Sequence, residues 1–319
     1  MTDLLTTSAL AVLVVSFGVG IVVGLTGMGG GALMTPALIF LGINPTVAVA
    51  NDLVAASVNK SVGATVHWRL GKPNLRLAGL LMCASVPTAF AGAFIVRALG
   101  EVANQEVFLK QALGVALLFT ASTYALRMYL QLRLVHDGNT VPEDDPELRP
   151  VLTLMVGAIG GLLVGITSVG SGSLIMVALL LLYPTLSAVR LVGTDLVQAV
   201  PLVLSAAISH MIVSGVDWSV LIPLIVGGSP GTFIGARIAN WVSQSVIRRG
   251  IVIVLSLTGL TMLGVPPRIV GIIGAALLLL GPLAWAYLRQ RRGLPAFDNN
   301  AAAWRLPDHP DQERPVEKA

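Results

Sequence analysis

The 319-residue sequence predicts an all-α, polytopic membrane protein made of two inverted repeats, each holding a Gly-interrupted broken helix and half-helix hairpin. Three observations predict it: a shortage of charge, a recurrence of long apolar runs, and two matching glycine-rich segments. Charged residues make up 11% of the chain and apolar ones 55%, with a mean hydropathy of +0.84. Soluble domains carry roughly 25% charged residues, so a soluble enzyme is a poor fit. The formal charge of +4 is not gathered into a dense basic stripe, and nucleic acid is not an expected partner. The single cysteine, Cys83, excludes intrachain disulfides, thiolate zinc sites and iron–sulfur clusters. No cofactor or metal is expected.

Apolar runs cover residues 9–23, 75–96, 107–126, 151–166, 220–238, 251–263 and 269–288. Several approach the ~20 residues that span a ~30 Å hydrocarbon core. The first follows "MTDLLTT", which has no Lys or Arg, and no small-residue cleavage site is evident before Gly24. It reads as a first membrane helix, not a secretory signal. Residues 1–132 form the first transmembrane repeat and 133–150 a charged cytoplasmic linker. Residues 151–290 form the second repeat plus a C-terminal helix. The polar, Pro-rich stretch 291–319 reads as a disordered cytoplasmic tail.

The repeat rests on specific residues. "GLTGMGGGALM" (24–34) aligns with "GITSVGSGSLI" (165–175), matching Gly24/Gly165, Thr26/Thr167, Gly29/Gly170 and Gly31/Gly172. After a two-residue insertion, Asp52 pairs with Asp195, His67 with His210, Pro87 with Pro230 and Phe90 with Phe233. Basic residues mark cytoplasmic loops. Arg69, Lys72 and Arg76 follow His67, whereas the stretch after His210 carries none. Equivalent loops therefore lie on opposite sides, the N-terminus outside and the C-terminus inside. Inverted repeats with interrupted helices are a transporter signature, with the site near the bilayer midplane.

The glycines have a structural purpose. Residues 31–41 and 172–182 would each make roughly 17 Å of helix at ~1.5 Å per residue, too short to cross. Each is expected to be a half-helix joined to its predecessor by an unwound turn. Irregular backbone at membrane depth survives only where protein or water satisfies it. Free N–H groups around Gly29, Gly30 and Gly31, and around Gly170, Ser171, Gly172 and Ser173, carry partial positive charge and suit an anion. The alternative is that these glycines serve close helix packing.

These segments, "GTDLV" (193–197) and the two histidines resemble the sulfite exporter TauE/SafE family over about residues 8–288. The resemblance implies a bacterial inner-membrane transporter of small, often sulfur-containing anions such as sulfite, thiosulfate or sulfoacetate. It implies an alternating-access carrier, with proton coupling as an option, and no enzymatic activity. Here the first copy has "AND" (50–52) where the second has "GTD" (193–195), which leaves equivalence of the halves open.

Charges inside a membrane usually face a cavity. Lys60 matches Val203 in the repeat, so it either binds substrate, pairs with an Asp, or snorkels toward Arg69. Arg190 reads as a loop-facing charge or an anion attractant. Asp52 and Asp195 are either helix N-caps or coupling groups. His67 and His210 are either hydrogen-bonded structural residues or proton relays. Asn59, Gln198 and Ser171 are lining donors, because an oxyanion stripped of water needs them. Two rivals stand beside the carrier: a passive anion channel, and an intramembrane serine hydrolase pairing "GSGS" (170–173) with His210. A homodimer is left open.

Overall fold

The computed structural model describes residues 2–26, 30–70, 73–137, 147–172, 174–186, 188–238 and 244–291. The described residues form eleven α-helices and no strand: α1 (Thr2–Thr26), α2 (Gly31–Phe40), α3 (Pro45–Leu70), α4 (Leu75–Arg97), α5 (Val102–Asp137), α6 (Pro150–Thr167), α7 (Leu174–Leu182), α8 (Ala188–Val213), α9 (Trp218–Ile238), α10 (Gln244–Met262) and α11 (Pro267–Gln290). Seven of them, α1, α4, α5, α6, α8, α9 and α11, contain a stretch long and apolar enough to cross a membrane.

The distribution of polarity is the reverse of a water-soluble fold. Ile272, Leu279 and Leu10 are 70%, 69% and 61% exposed, while Asp52, Asp195 and Gln198 are 2%, 5% and 0% exposed. Such an apolar exterior suits lipid, in which helices satisfy their own backbone.

Helix ends follow local chemistry. Pro150 opens α6 at a position whose N–H would be unpaired anyway. Asn74 caps α4, its side-chain oxygen accepting from Leu77 N at 3.1 Å. The helix α6 ends at Ser168, which holds φ 61 in the left-handed region. Several boundaries differ from the hydropathy reading. The first helix begins at Thr2, α5 continues through Asp137 into the charged linker, and α7 begins at Leu174. Apolarity marks what lipid covers, whereas a helix needs only backbone bonds and good helix formers.

The two half-length helices are α2, with 10 residues, and α7, with 9. At ~1.5 Å per residue neither crosses a ~30 Å core. The α6–α7 segment returns to its own starting end: the Tyr183 hydroxyl just after α7 accepts from Arg149 N (2.9 Å) and lies 2.6 Å from Thr153 Oγ1 at the start of α6. At the other end of the bundle, Ala9 and Val12 of α1, Leu41 and Ile43 after α2, and Ser219 of α9 line one small cavity.

Glycine faces fix the closest helix pairs. A Cβ on Gly20 would lie 2.5 Å from Gly228 O, and Cβ atoms on Gly24, Gly231 and Gly235 would collide with Thr232, Phe17 and Ile21 carbonyls. Residue numbers rise together, so α1 and α9 run parallel. Likewise, a Cβ on Gly157 would lie 2.7 Å from Leu81 O, and those on Gly161 and Gly165 would strike Ser85 and Ala89 carbonyls. The helices α6 and α4 are therefore parallel too. The remaining large contacts are α4 with α8, α3 with α8 and α5 with α10. The main core, with Leu53, Leu81, Ile175, Leu179 and Leu202, joins α3, α4, α7 and α8.

Candidate functional site

The half-helices and the centres of α3 and α8 meet in a buried polar cluster. Gly30 stands before α2 with φ −57. A Cβ there would meet only Asp52 Oδ1, at 4.0 Å. One residue on, Gly31 touches Ser168 so closely that a Cβ would fall inside its carbonyl oxygen. The break after α1 and the break after α6 are thus in contact.

Asp52 sits eight residues into α3, fully helical and 2% exposed. Its Oδ2 accepts from Thr35 Oγ1 at 2.5 Å and from Ser168 Oγ at 2.8 Å. Asp195, equally deep in α8, accepts from Gln198 Nε2 at 3.0 Å. The N-cap reading of both aspartates is therefore corrected: a cap residue has non-helical backbone at a helix start, and these lie well inside their helices.

Lys60 turns inward. Its Nζ donates to Ser171 Oγ at 2.5 Å and reaches Ser171 O at 3.4 Å. Two carboxylates, Asp52 and Asp195, are near enough for their charges to act on this ammonium. A snorkelling lysine would not bond a broken-helix serine from the other half of the chain. Asn59, next to it, is placed differently: its Oδ1 accepts from Ser229 Oγ of α9 at 2.8 Å.

His210 is fully buried near the end of α8, with Nε2 2.7 Å from the Gly165 carbonyl and Nδ1 without a partner. It is not joined to Ser171, whose hydroxyl belongs to Lys60. Ser171 is therefore not the partner that a Ser–His pair would need, while Ser173, the other serine of that stretch, lies outside the described residues. Gly170 and Gly172 adopt φ 116 and 102, supplying the turn between α6 and α7. Arg190 lies in the first turn of α8, and its carbonyl accepts from Thr194 Oγ1 at 2.7 Å. Gly29, Ser173 and the His67 side chain lie outside the described residues.

Thr35 and Ser168 escaped the sequence reading, yet they hold Asp52. The available signal was a mismatch: at the repeat offset, Ser168 falls on Gly27 and Thr35 on Met176, so both hydroxyls break the repeat.

An all-helical, multi-pass protein with two half-length helices meeting over buried ionisable groups has the architecture of a membrane transport protein. Residues 12–262 match the family model described as "Sulfite exporter TauE/SafE", and the chain belongs to that family. It is 34% identical over 257 residues to "Probable membrane transporter protein YjnA" of Bacillus subtilis (strain 168), an alignment covering 80% of this chain and 100% of that relative. It is 23% identical over 253 residues to "Probable membrane transporter protein YdhB" of the same organism, covering 79% and 99%. A "Probable membrane transporter protein" of Xylella fastidiosa (strain Temecula1 / ATCC 700964) is 29% identical over 235 residues, covering 71% and 83%. No solved structure matches the chain.

Proposed function

We propose that this protein is a secondary transporter of small, sulfur-containing oxyanions, such as sulfite, thiosulfate or sulfoacetate, across the bacterial inner membrane by alternating access. The observation that carries this reading is the meeting of two half-helix starts with the Lys60–Ser171 pair, in which Ser171 is buried and Lys60 half-buried. The anion lies between the Gly29–Gly31 and Gly170–Ser173 turns, with Lys60 as its cation and Ser171 and Gln198 as hydrogen-bonding neighbours. Asp52, Asp195, His67 and His210 are the groups that could couple protons to its movement. A carrier is preferred to a channel because the two breaks touch at Gly31 and Ser168.

Test the substrate and coupling with purified protein in liposomes. Uptake of one or more of these anions should rise when a pH gradient is imposed. Flux of every permeant anion strictly down its own gradient, indifferent to pH, would favour a channel.

Residues 1–132 and 151–290 are read as inverted repeats. Supporting this, α1, α3, α4 and α5 contact α9, α8, α6 and α10, so the two halves exchange equivalent partners about a pseudo-twofold relation. Equivalent elements also start at opposite ends: Ala9 near Ser219, and Thr153 near Tyr183. Arg76, Arg149, Arg190, Arg237, Arg248 and Arg249 belong to helix ends on the α6-start side, which supports a cytoplasmic position for that side. A cysteine at Lys72 is then labelled only from the cytoplasm and one at Gly215 only from the periplasm, in a Cys83→Ala background. Labelling of both from one side would end the inverted-repeat reading.

A further inference from the structure

The two repeat-related aspartates have been given different neighbours, and the difference assigns them different work. Asp52 has both hydroxyl bonds on one oxygen, Oδ2, from Thr35 and Ser168. Its other oxygen, Oδ1, is turned to Gly30, on the side where the glycine leaves room. Asp195 is bonded by Gln198, three residues on in the same helix, and its charge acts on Lys60. The Gln198 counterpart in the first half is Ala55, and the Lys60 counterpart in the second is Val203.

With Asp52 and Asp195 ionised and Lys60 protonated, the cluster carries one net negative charge. An oxyanion brought beside it in a low-dielectric interior meets repulsion. A proton on one carboxylate removes this and turns an acceptor into a donor. We propose that Asp52 takes up that proton on Oδ1 and donates it as a hydrogen bond to the bound oxyanion, while Asp195 stays ionised as the counterion of Lys60. This rests on the anion-transport reading above and goes beyond it by choosing one of four coupling groups and making it a direct ligand. Thr35 and Ser168 are positioning residues: by occupying Oδ2 they hold Oδ1 toward the substrate. Ser168 keeps a left-handed backbone to do so, a conformation that is unfavourable for a non-glycine residue. In the balance of the step, one proton from solvent becomes the Oδ1–H, and no other bond forms or breaks.

The other groups facing Asp52 do not supply a competing proton. The half-helix α2 has no titratable residue, and the α6–α7 break offers hydroxyls. On α5, Glu106 accepts from Asn44 and Lys110 is exposed. On α9, Arg237 lies over the Phe233 ring. On α8, His210 faces the Gly165 carbonyl. Lys60, eight residues along the same helix, is the cation whose charge reaches Asp52.

Calorimetric titration of the full-length protein in nanodiscs with sulfite, thiosulfate and sulfoacetate, in two buffers of different ionisation heat, counts protons bound per anion. The parent and Asp195→Asn should each take up one. Asp52→Asn, whose amide keeps a donor at the same place, should bind the anion with no proton uptake and an affinity flat with pH. Ser168→Gly relieves the backbone and removes the hydroxyl, so thermal stability holds while affinity drops about tenfold and proton uptake persists. Proton uptake retained in Asp52→Asn, or lost in Asp195→Asn, overturns the assignment. So does anion binding by the parent with no proton. Binding of none of the three anions by the parent overturns the transport reading and this inference with it.

Discussion

Leucine in place of Gly30 is expected to abolish the proposed anion uptake while the protein still inserts and folds. The backbone at Gly30 has φ −57, open to any residue, and a Cβ finds nothing nearer than Asp52 Oδ1 at 4.0 Å. The side chain therefore enters the space proposed for the anion without striking helix backbone. Ser171→Leu acts from the opposite break and also strips Lys60 of its hydroxyl partner. Gly31→Ala is the contrast. Its Cβ would fall inside the Ser168 carbonyl, and forcing bulk into a close-packed contact costs typically 1–3 kcal/mol, occasionally more. That variant loses thermal stability, measured in detergent, whatever it does to uptake. Parental uptake by Gly30→Leu would move the substrate elsewhere and leave the glycines as packing residues.

Lys60→Met produces the second large effect. Truncating one partner of a buried, hydrogen-bonded charge pair typically costs 2–5 kcal/mol. Apparent affinity for every anionic substrate should therefore weaken on the order of 100-fold. The substitution also leaves Asp195 and Asp52 buried without their cation, a destabilising state. Lys60→Met with Asp195→Asn should regain thermal stability but not anion affinity, which separates the ion pair's part in folding from its part in binding. An affinity within about twofold of the parent in the single variant, the size of a surface electrostatic term, would remove Lys60 from the site.

Much of this fold is legible in the residues. The scarcity of charge announces the membrane, and the length from Gly31 onward announces a half-helix. The two long helices that carry the site, α3 and α8, are missing from the apolar runs, as are the half-helices α2 and α7, although α8 is apolar enough to cross a membrane. Asn51, Asp52, Ser57, Asn59, Lys60 and Ser61 make α3 polar because it lines an interior, and hydropathy measures contact with lipid. The hydrogen bonds to Asp52 were hidden for another reason. Ser168 is 116 residues away from it, and no local period encodes a contact between two breaks. The paired glycines of α1 and α9 were visible as glycines, yet their partner helices were not.

Those pairings have a consequence for the order in which the molecule can be built. Ser16 of α1 donates to the Pro223 carbonyl of α9, 207 residues later in the chain. The notched face of α1 thus lacks its partner until α9 has been synthesised. The early half has no finished form of its own, because α1 and α4 are each completed by a helix from the late half. Assembly is a threading of late helices into places held open by early ones. A fault in α9 would be read by cellular quality control as a fault in the first helix.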